Sequence, residues 1–383
     1  MKFKSLFIVL STVVFAGCTS TPKRNPLPEE LASKAIIPGI PYARHWADES
    51  TAWKRSTTAE IQAAHKGIMY KPHHYLAISG GGSNGAFGAG ILTGWTETGN
   101  RPEFTMVTGI STGSILAPFA FLGSDYDATI IDLFCNHPTH DVLNTRNIIK
   151  GWRLGALTDN APLRALLLEK ITDVEVERIA EEHRKGRRLL IGTFNLDAGR
   201  STSWNIGEIA TSKHPNRNEL IVDIIVASAS IPVAFPPKAI DVEANGEIYQ
   251  ELHADGGLGS QVYLYPPQLH WDEYKEILQI QGIPEIYVIR NAKLTPAWAT
   301  VETGLISLAS RSLSSLIRTQ GIGDLYRIYF STQRDGLSFK LAFIPSDFTA
   351  QSDETFDIEY MKALFECGHN LITSEHPWIE KLD

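Results

Sequence analysis

"ISGGGSNGAFGAG", residues 78 to 90, begins at the end of an apolar run that starts at Tyr75. Apolar residues, then glycines, then helix-compatible residues predict a strand, a tight loop and a helix. The same alternation recurs along the chain. We predict strands at 74–79, 104–108, 188–195, 247–254, 284–290 and 338–344, and helices near 86–98, 112–122, 161–182, 218–229, 301–319 and 357–372. This order predicts an α/β fold, a three-layer α/β/α sandwich whose central sheet is largely parallel.

The first 17 residues have the pattern of a secretory signal peptide: two lysines, an apolar run from Leu6 to Phe15, and small residues before Cys18. The ending Val14-Phe-Ala-Gly-Cys18 resembles the lipobox of bacterial lipoproteins, in which the cysteine is lipidated. A cleaved signal followed by an incidental cysteine is the alternative. Thr19, where inner-membrane lipoproteins tend to have aspartate, favours anchoring to a bacterial outer membrane, on a side that stays open. Residues 18–73 are then a tether and an N-terminal extension.

The charge of the chain argues against nucleic-acid binding. The formal net charge is −8 for 383 residues, and it becomes −10 once the two lysines of residues 1–17 are removed. Cys135 and Cys367 are the thiols that remain besides Cys18, and they can either pair or stay free. Because no cysteine–histidine cluster has metal-ligand spacing, we expect no metal.

The glycine-rich segment admits three interpretations. Gly80, Gly82 and Gly85 fit the dinucleotide fingerprint G-x-G-x-x-G, with Glu97 or Glu103 near the ribose position, but a lone match is weak. The segment also fits the nucleophile pattern G-x-S-x-G around Ser83. Thirdly, its backbone amides can form an oxyanion hole.

A second G-x-S-x-G match, from Gly109 to Gly113, places Ser111 between an apolar strand and a helix. This is the arrangement of a nucleophile elbow, and the helix dipole and the Thr112 amide face the developing negative charge. We therefore predict Ser111 as the nucleophile. The amides of Gly80, Gly81 and Gly82, together with that of Thr112, are predicted to form the oxyanion hole.

An acid follows at the end of another predicted strand, in Glu251-Leu-His-Ala-Asp255-Gly256-Gly257. If that strand joins the parallel sheet, its carboxyl end lies at the same edge as Ser111. Asp255 is then the base for the serine, although aspartate before glycine is also an ordinary turn residue. His253 lies nearby and is expected to be a packing or solvated residue.

Together these motifs resemble the patatin-like phospholipase family: Gly80 to Gly85 as its oxyanion motif, Gly109-Ile-Ser111-Thr-Gly113 as its elbow, Asp255-Gly256-Gly257 as its acidic motif, and Ala227 to Pro237 as the block before the aspartate. The resemblance implies a catalytic domain at 74–260; residues 261–383 lie outside it, and we predict that they are an extension packed on the same domain. It further implies a Ser111–Asp255 dyad without histidine, no cofactor, and a phospholipid or other acyl-ester substrate. Asn84 departs from the Arg or Lys usual in the oxyanion motif.

Two alternatives stay open. A catalytically silent lipoprotein would use the same groove to bind lipid or a protein partner. An esterase of the α/β-hydrolase type would need a histidine after the acid, and the histidines available are His270, His369 and His376.

Overall fold

The computed structural model describes residues 24–49, 56–145, 156–296, 298, 300–352 and 354–382. Its strands are β1 Arg44–Trp46, β2 His74–Ile78, β3 Met106–Ile110, β4 Asn144–Thr145, β5 Thr158–Asp159, β6 Arg188–Asn195, β7 Arg200–Asn205, β8 Lys238–Ala244, β9 Glu247–Asp255, β10 Glu285–Arg290 and β11 Ser338–Phe343. Its helices are α1 Thr58–Ala64, α2 Gly85–Glu97, α3 Thr112–Leu122, α4 Asp127–Cys135, α5 Thr139–Val142, α6 Ala161–Lys170, α7 Asp173–Arg184, α8 Ile206–Thr211, α9 Arg217–Ser228, α10 Trp271–Leu278, α11 Leu305–Arg334 and α12 Ile358–Ile372. The predicted signal peptide and lipidation site at Cys18 lie outside the described residues.

The main sheet has the strand order β1-β7-β6-β3-β2-β10-β11. Strands β6, β3, β2, β10 and β11 are parallel to one another. Strands β7 and β1 extend one end of the sheet in antiparallel pairing, and the β8–β9 hairpin is attached to β6. With helices on both faces, the predicted α/β fold with a largely parallel central sheet is confirmed.

Apolar side chains fill the space on both faces of this sheet. On one face, Phe87 of α2, Leu116 of α3 and Ile225 of α9 belong to one large core. On the other face, Trp271 of α10 and Leu325 of α11 belong to a second core. The sheet is therefore the middle of three layers, and the carboxyl ends of its parallel strands form one edge between the two helical layers.

The last helix packs very closely on the helix that follows the glycine-rich loop. A Cβ added at Gly90 of α2 would lie only 2.0 Å from the carbonyl oxygen of Phe365 in α12. Glycine is required there because the two backbones are in contact. The chain after residue 260 also supplies β10, which lies between β2 and β11, so this part of the chain completes the same sheet.

Three predicted elements differ from the structure. The strand at 247–254, expected to be parallel, is antiparallel because it forms a hairpin with β8. The helix predicted at 161–182 is two helices, since Thr172 begins a new one: its side chain accepts from the Val174 amide, and its own amide donates to Glu175 at 2.9 Å. The helix predicted at 301–319 continues to Arg334.

Candidate active site

Ser111 occupies a strained turn between β3 and α3. Its backbone has φ +52° and ψ −126°, a region that residues other than glycine rarely adopt. The Ser111 amide donates to the hydroxyl of Ser228 at 3.0 Å, and Ser228 in turn donates to the Gly192 carbonyl at 2.6 Å. The turn is thus fixed to α9 and β6, as a nucleophile elbow requires.

The glycine two residues after the serine allows α3 to begin directly against the sheet. A Cβ at Gly113 would lie 2.3 Å from the carbonyl oxygen of Ile78 at the end of β2. Any side chain at position 113 would push the helix start away from the strand ends. The amino end of α3, with its positive dipole end, therefore stays at the carboxyl edge of the sheet beside Ser111.

Asp255 reaches Ser111 from the opposite direction. One edge of β6 pairs first with β3, up to Ile110 opposite Gly192, and then with β9, from Asp255 opposite Thr193. Because β3 is parallel and β9 antiparallel to β6, the carboxyl ends of β3 and β9 meet end to end. The sequence prediction that the two residues lie at one edge holds, but an antiparallel strand brings the acid there.

The carboxyl of Asp255 is buried, and burial raises its pKa from 3.8 to about 6. The neighbouring Ser111 hydroxyl and the Gly257 amide offset part of that rise. The amide of Gly257 donates to Oδ1 at 2.7 Å. The second oxygen, Oδ2, is buried and receives no aligned hydrogen bond from the described residues, so it is the oxygen available to a proton from the serine.

The triple-glycine loop passes directly beside the serine, since a Cβ at Gly80 would lie 3.0 Å from the Cβ of Ser111. The Gly80 amide, however, donates to the Gln261 carbonyl at 3.1 Å. The prediction of Gly80 as an oxyanion donor is therefore wrong, because its N–H already donates to the Gln261 carbonyl. The amides of Gly81, Gly82 and Thr112 have no acceptor among the described residues.

Two side chains that no sequence motif indicated hold this loop in place. Asn291, after β10, donates from Nδ2 to the Ser79 carbonyl at 2.9 Å and accepts at Oδ1 from the Gly88 amide at 3.0 Å. The Gln261 side chain donates to the Gly257 carbonyl at 2.8 Å. Gln261 thereby joins the loop at Gly80 to the turn that follows Asp255.

Asn84, which stands where the family usually has Arg or Lys, has a partner in the last helix. Its side-chain oxygen accepts from the Tyr360 hydroxyl of α12 at 2.8 Å. Asn84 thus links the glycine-rich loop to α12, while bringing no positive charge to the site.

None of the 12 histidines of the chain, all of which are described, hydrogen-bonds to Ser111 or Asp255. His253 is fully buried, and its two ring nitrogens pair with Thr193 at 2.9 Å and Glu251 at 3.3 Å. Burial lowers the pKa of His253, which favours the neutral ring. Among the later histidines, His369 pairs instead with Glu97 at 2.9 Å.

One group of side chains away from the dyad has the composition of a metal site: His270, Asp272 and Asp335, whose ligand atoms lie within 4.8 Å of one another. The Asp335 carboxylate already accepts from Arg334 at 2.6 Å and from the Tyr265 hydroxyl at 2.9 Å. These bonds compete with a cation for the oxygens of Asp335. The absence of a metal stays a prediction.

A cavity of about 460 Å³ lies near the dyad, between β6, β7 and α11. Ile110 and Gly256, the neighbours of the dyad in sequence, line it, whereas Ser111 and Asp255 do not.

Cys135 and Cys367 are unpaired thiols. In the described parts of the chain, no helix is long and apolar enough to span a bilayer.

The family model described as patatin-like phospholipase matches residues 76–265. Residues 76–265 form a patatin-like phospholipase domain. The resemblance drawn from the sequence motifs is confirmed, and the patatin-like domain contains the elbow, the triple glycine and the acidic turn.

Relatives of the patatin-like domain come from bacteria and plants. The chain is 26% identical over 196 residues to a cGAMP-activated phospholipase of Pseudomonas aeruginosa (strain BWHPSA011 / Pa011). The aligned region covers 49% of this chain and 53% of that protein. It is 25% identical over 202 residues to patatin group M-3 of Solanum tuberosum, and this aligned region covers 48% of this chain and 49% of the patatin. The chain thus matches about half the length of these relatives. The crystal structure of VipD from Legionella pneumophila is similar with a TM-score of 0.35 and 12% identity, over 77% of this chain and 67% of VipD.

Proposed function

We propose that the protein is a lipid acyl hydrolase of the phospholipase A, lysophospholipase or esterase type, and that Ser111 and Asp255 are its catalytic residues. The observation that carries the proposal is the end-to-end meeting of β3 and β9 along β6, which brings a strained serine to a buried carboxyl. The patatin-like domain and the cGAMP-activated phospholipase among its relatives support the lipid substrate.

In the proposed reaction, Asp255 accepts the Ser111 proton while the serine oxygen attacks the ester carbonyl. The carbonyl oxygen becomes an oxyanion, which accepts from the amides of Gly81, Gly82 and Thr112. The intermediate expels the alcohol, which takes the proton from Asp255, and an acyl-serine remains. A water molecule then attacks the acyl-serine, again losing its proton to Asp255, and the fatty acid leaves as the serine is restored.

The proposed oxyanion hole supplies most of the electrostatic stabilisation. Each preorganised donor contributes on the order of 3 kcal/mol to a transition state of this kind. The amide of Thr112 is also the first of α3, where the helix dipole favours negative charge. These donors are backbone amides, so the exchange of the family's basic residue for Asn84 leaves them unchanged.

The proposal is tested by incubating the full chain with a phospholipid in detergent micelles and measuring the released fatty acid and lysophospholipid. We expect both products in equal amounts, with the same rate when a chelator is present. A folded protein that releases no fatty acid from phospholipid, lysophospholipid or simple esters would instead be a lipid- or partner-binding lipoprotein.

The rate should depend on pH through the Asp255 carboxyl. Only the ionised carboxylate can take the serine proton, and the carboxyl has a pKa of about 6. We therefore expect kcat/KM to be low at acidic pH and to rise with a midpoint at about pH 6. A soluble short-chain ester is the suitable substrate, and circular dichroism at each pH checks that the fold is unchanged. A midpoint near the ordinary aspartate pKa would contradict a buried base.

We further propose that residues 1–17 direct export and that Cys18 is lipidated, which anchors the protein to a bacterial outer membrane. The signal-like amino terminus and the lipobox-like ending at Cys18 support this.

A further inference from the structure

The described chain begins on the same side of the molecule as the active site. Arg24 forms a two-pronged ion pair with Asp197, one bond of which measures 2.6 Å. The next residues run beside β9: the Gln250 amide donates to the Asn25 carbonyl at 2.7 Å, and Pro26 bridges to Gln250. The start of the described chain is thereby fixed to the body.

Asp197 lies in the turn between β6 and β7, where β6 ends. Ile110, the residue before Ser111, pairs with Gly192 of β6, a few residues before that turn. We call this side of the sheet, where the parallel strands end, the carboxyl edge. The opposite side, where β2 and β10 begin, is the amino edge. Arg24 is therefore held at, and slightly beyond, the carboxyl edge.

The distance that the tether can span limits how the body can be oriented. Six peptide units join Cys18 to Arg24, and even a fully extended chain of that length reaches only about 20 Å. The eight residues of β6 alone extend about 26 Å from the amino side to the carboxyl edge. With its lipid at Cys18 inserted, the molecule therefore cannot stand on the membrane with the amino edge down and the carboxyl edge facing away.

Exposed apolar side chains lie around the active site at the carboxyl edge. Leu258, three residues after Asp255, is exposed, and its carbonyl accepts from Gln320 of α11 at 3.4 Å. Leu316, one turn earlier in α11, is 68% exposed. Val233 is 69% exposed. It lies in the loop whose Ser230 carbonyl accepts from the Asp255 amide at 2.9 Å.

The backbone at Val233 is itself unusual, with φ +74°. A β-branched residue is strained in that region, and such strain persists where the surroundings enforce it, often at functional sites. The result is an apolar side chain held in solvent, in the loop that contacts the backbone of Asp255.

We propose that the carboxyl edge, with Val233, Leu258 and Leu316, docks on the lipid bilayer in which the Cys18 anchor is inserted. This inference rests on the anchor proposed above. Lipid molecules of that same bilayer would then reach Ser111 without crossing bulk water. The β8–β9 hairpin on this side adds the exposed Ile248, but it also carries Asp241, Glu243 and Glu247, so a zwitterionic surface suits it better than an anionic one.

The test uses the full chain, extracted from membranes and reconstituted into phosphatidylcholine vesicles that contain a nitroxide-labelled phospholipid as quencher. A genetically encoded fluorescent amino acid replaces Val233, Leu316 or, as the control, Ile283. Ile283 is a matched control because it is 65% exposed and lies just before β10, at the amino edge. We expect the quencher to remove about half of the fluorescence at 233 and 316, and less than about a tenth at 283.

Equal quenching at 233 and 283 would overturn the proposal, and so would a mass spectrum that shows no lipid on Cys18. Because quenching needs no catalysis, this result is independent of whether the protein hydrolyses esters.

Two unlabelled variants test the same surface in case the labelled chains misfold. The double change Val233→Asp with Leu316→Asp should lower hydrolysis of vesicle phospholipid about tenfold while leaving a soluble ester unaffected. Ile283→Asp should change neither rate. If both variants hydrolyse vesicle phospholipid at the wild-type rate, the carboxyl edge does not dock.

Discussion

Ser111→Ala is expected to abolish acyl-enzyme formation and to lower the hydrolysis rate by a factor of about 10⁴ or more. The hydroxyl at the strained turn is the only side chain that the proposed reaction uses as a nucleophile, and an alanine methyl cannot form the acyl intermediate. A fluorophosphonate probe, which labels activated serines covalently, should mark the wild-type chain and leave the variant unlabelled.

The matched control is Ser83→Ala. Ser83 is the serine of the other G-x-S-x-G match, and it lies in the short helical turn of the glycine-rich loop with no carboxylate bonded to it among the described residues. Its variant keeps the loop amides and should be labelled like the wild type. Labelling that survives Ser111→Ala but disappears in Ser83→Ala would reverse our assignment of the nucleophile.

Asp255→Asn should lower hydrolysis about 10³-fold or more while stabilising the fold. The amide is nearly the same shape as the carboxyl and can still accept from Gly257, but it cannot take the serine proton. An acid whose pKa is raised by folding binds its proton more tightly in the folded state. Its stabilising contribution is therefore present below about pH 4 and is lost as the pH rises through about 6.

At pH 7 the buried carboxylate should thus cost the folded protein up to about 3 kcal/mol, which the asparagine variant recovers. Thermal unfolding at pH 7 measures this gain, and at pH 4 it should nearly disappear. The controls are His270→Gln, His369→Gln and His376→Gln, which should keep full activity. Loss of labelling in one of these, with Asp255→Asn still labelled, would indicate a histidine triad instead.

Ser111 and Asp255 could be chosen from the sequence because each has a local signature: glycines on both sides of a serine after an apolar strand, and an acid before a Gly-Gly turn. The sequence does not predict how the two residues meet, because its strand–helix alternation predicts β9 as a parallel strand whereas β9 is antiparallel. A signal for the hairpin was present. Residues 240–244, Ile-Asp-Val-Glu-Ala, alternate between apolar and acidic, which is the period of a half-buried antiparallel strand.

The sequence motif of the glycine-rich loop does not predict which of its amides are free to bind an oxyanion. Three adjacent glycines indicate that amides are accessible, but not which of them already has an acceptor. The acceptor for Gly80 is the carbonyl of Gln261, in an irregular segment with no motif and far away in sequence. The role of Asn291, which holds the same loop, could not be predicted from the sequence either. Asn291 reaches Ser79 only because β10 pairs with β2.

The region matched by the family model, residues 76–265, lacks strands and a helix that complete its sheet and core in this chain. If the polypeptide stopped at residue 265, β2 would lose β10 and present a bare hydrogen-bonding edge next to the nucleophile. Helix α2 would lose the backbone of α12 that now lies against Gly90, leaving a buried surface open to water. The carboxy-terminal third thus supports the proposed catalytic residues from within the same sheet and core, and does not sit beside them as a detachable module.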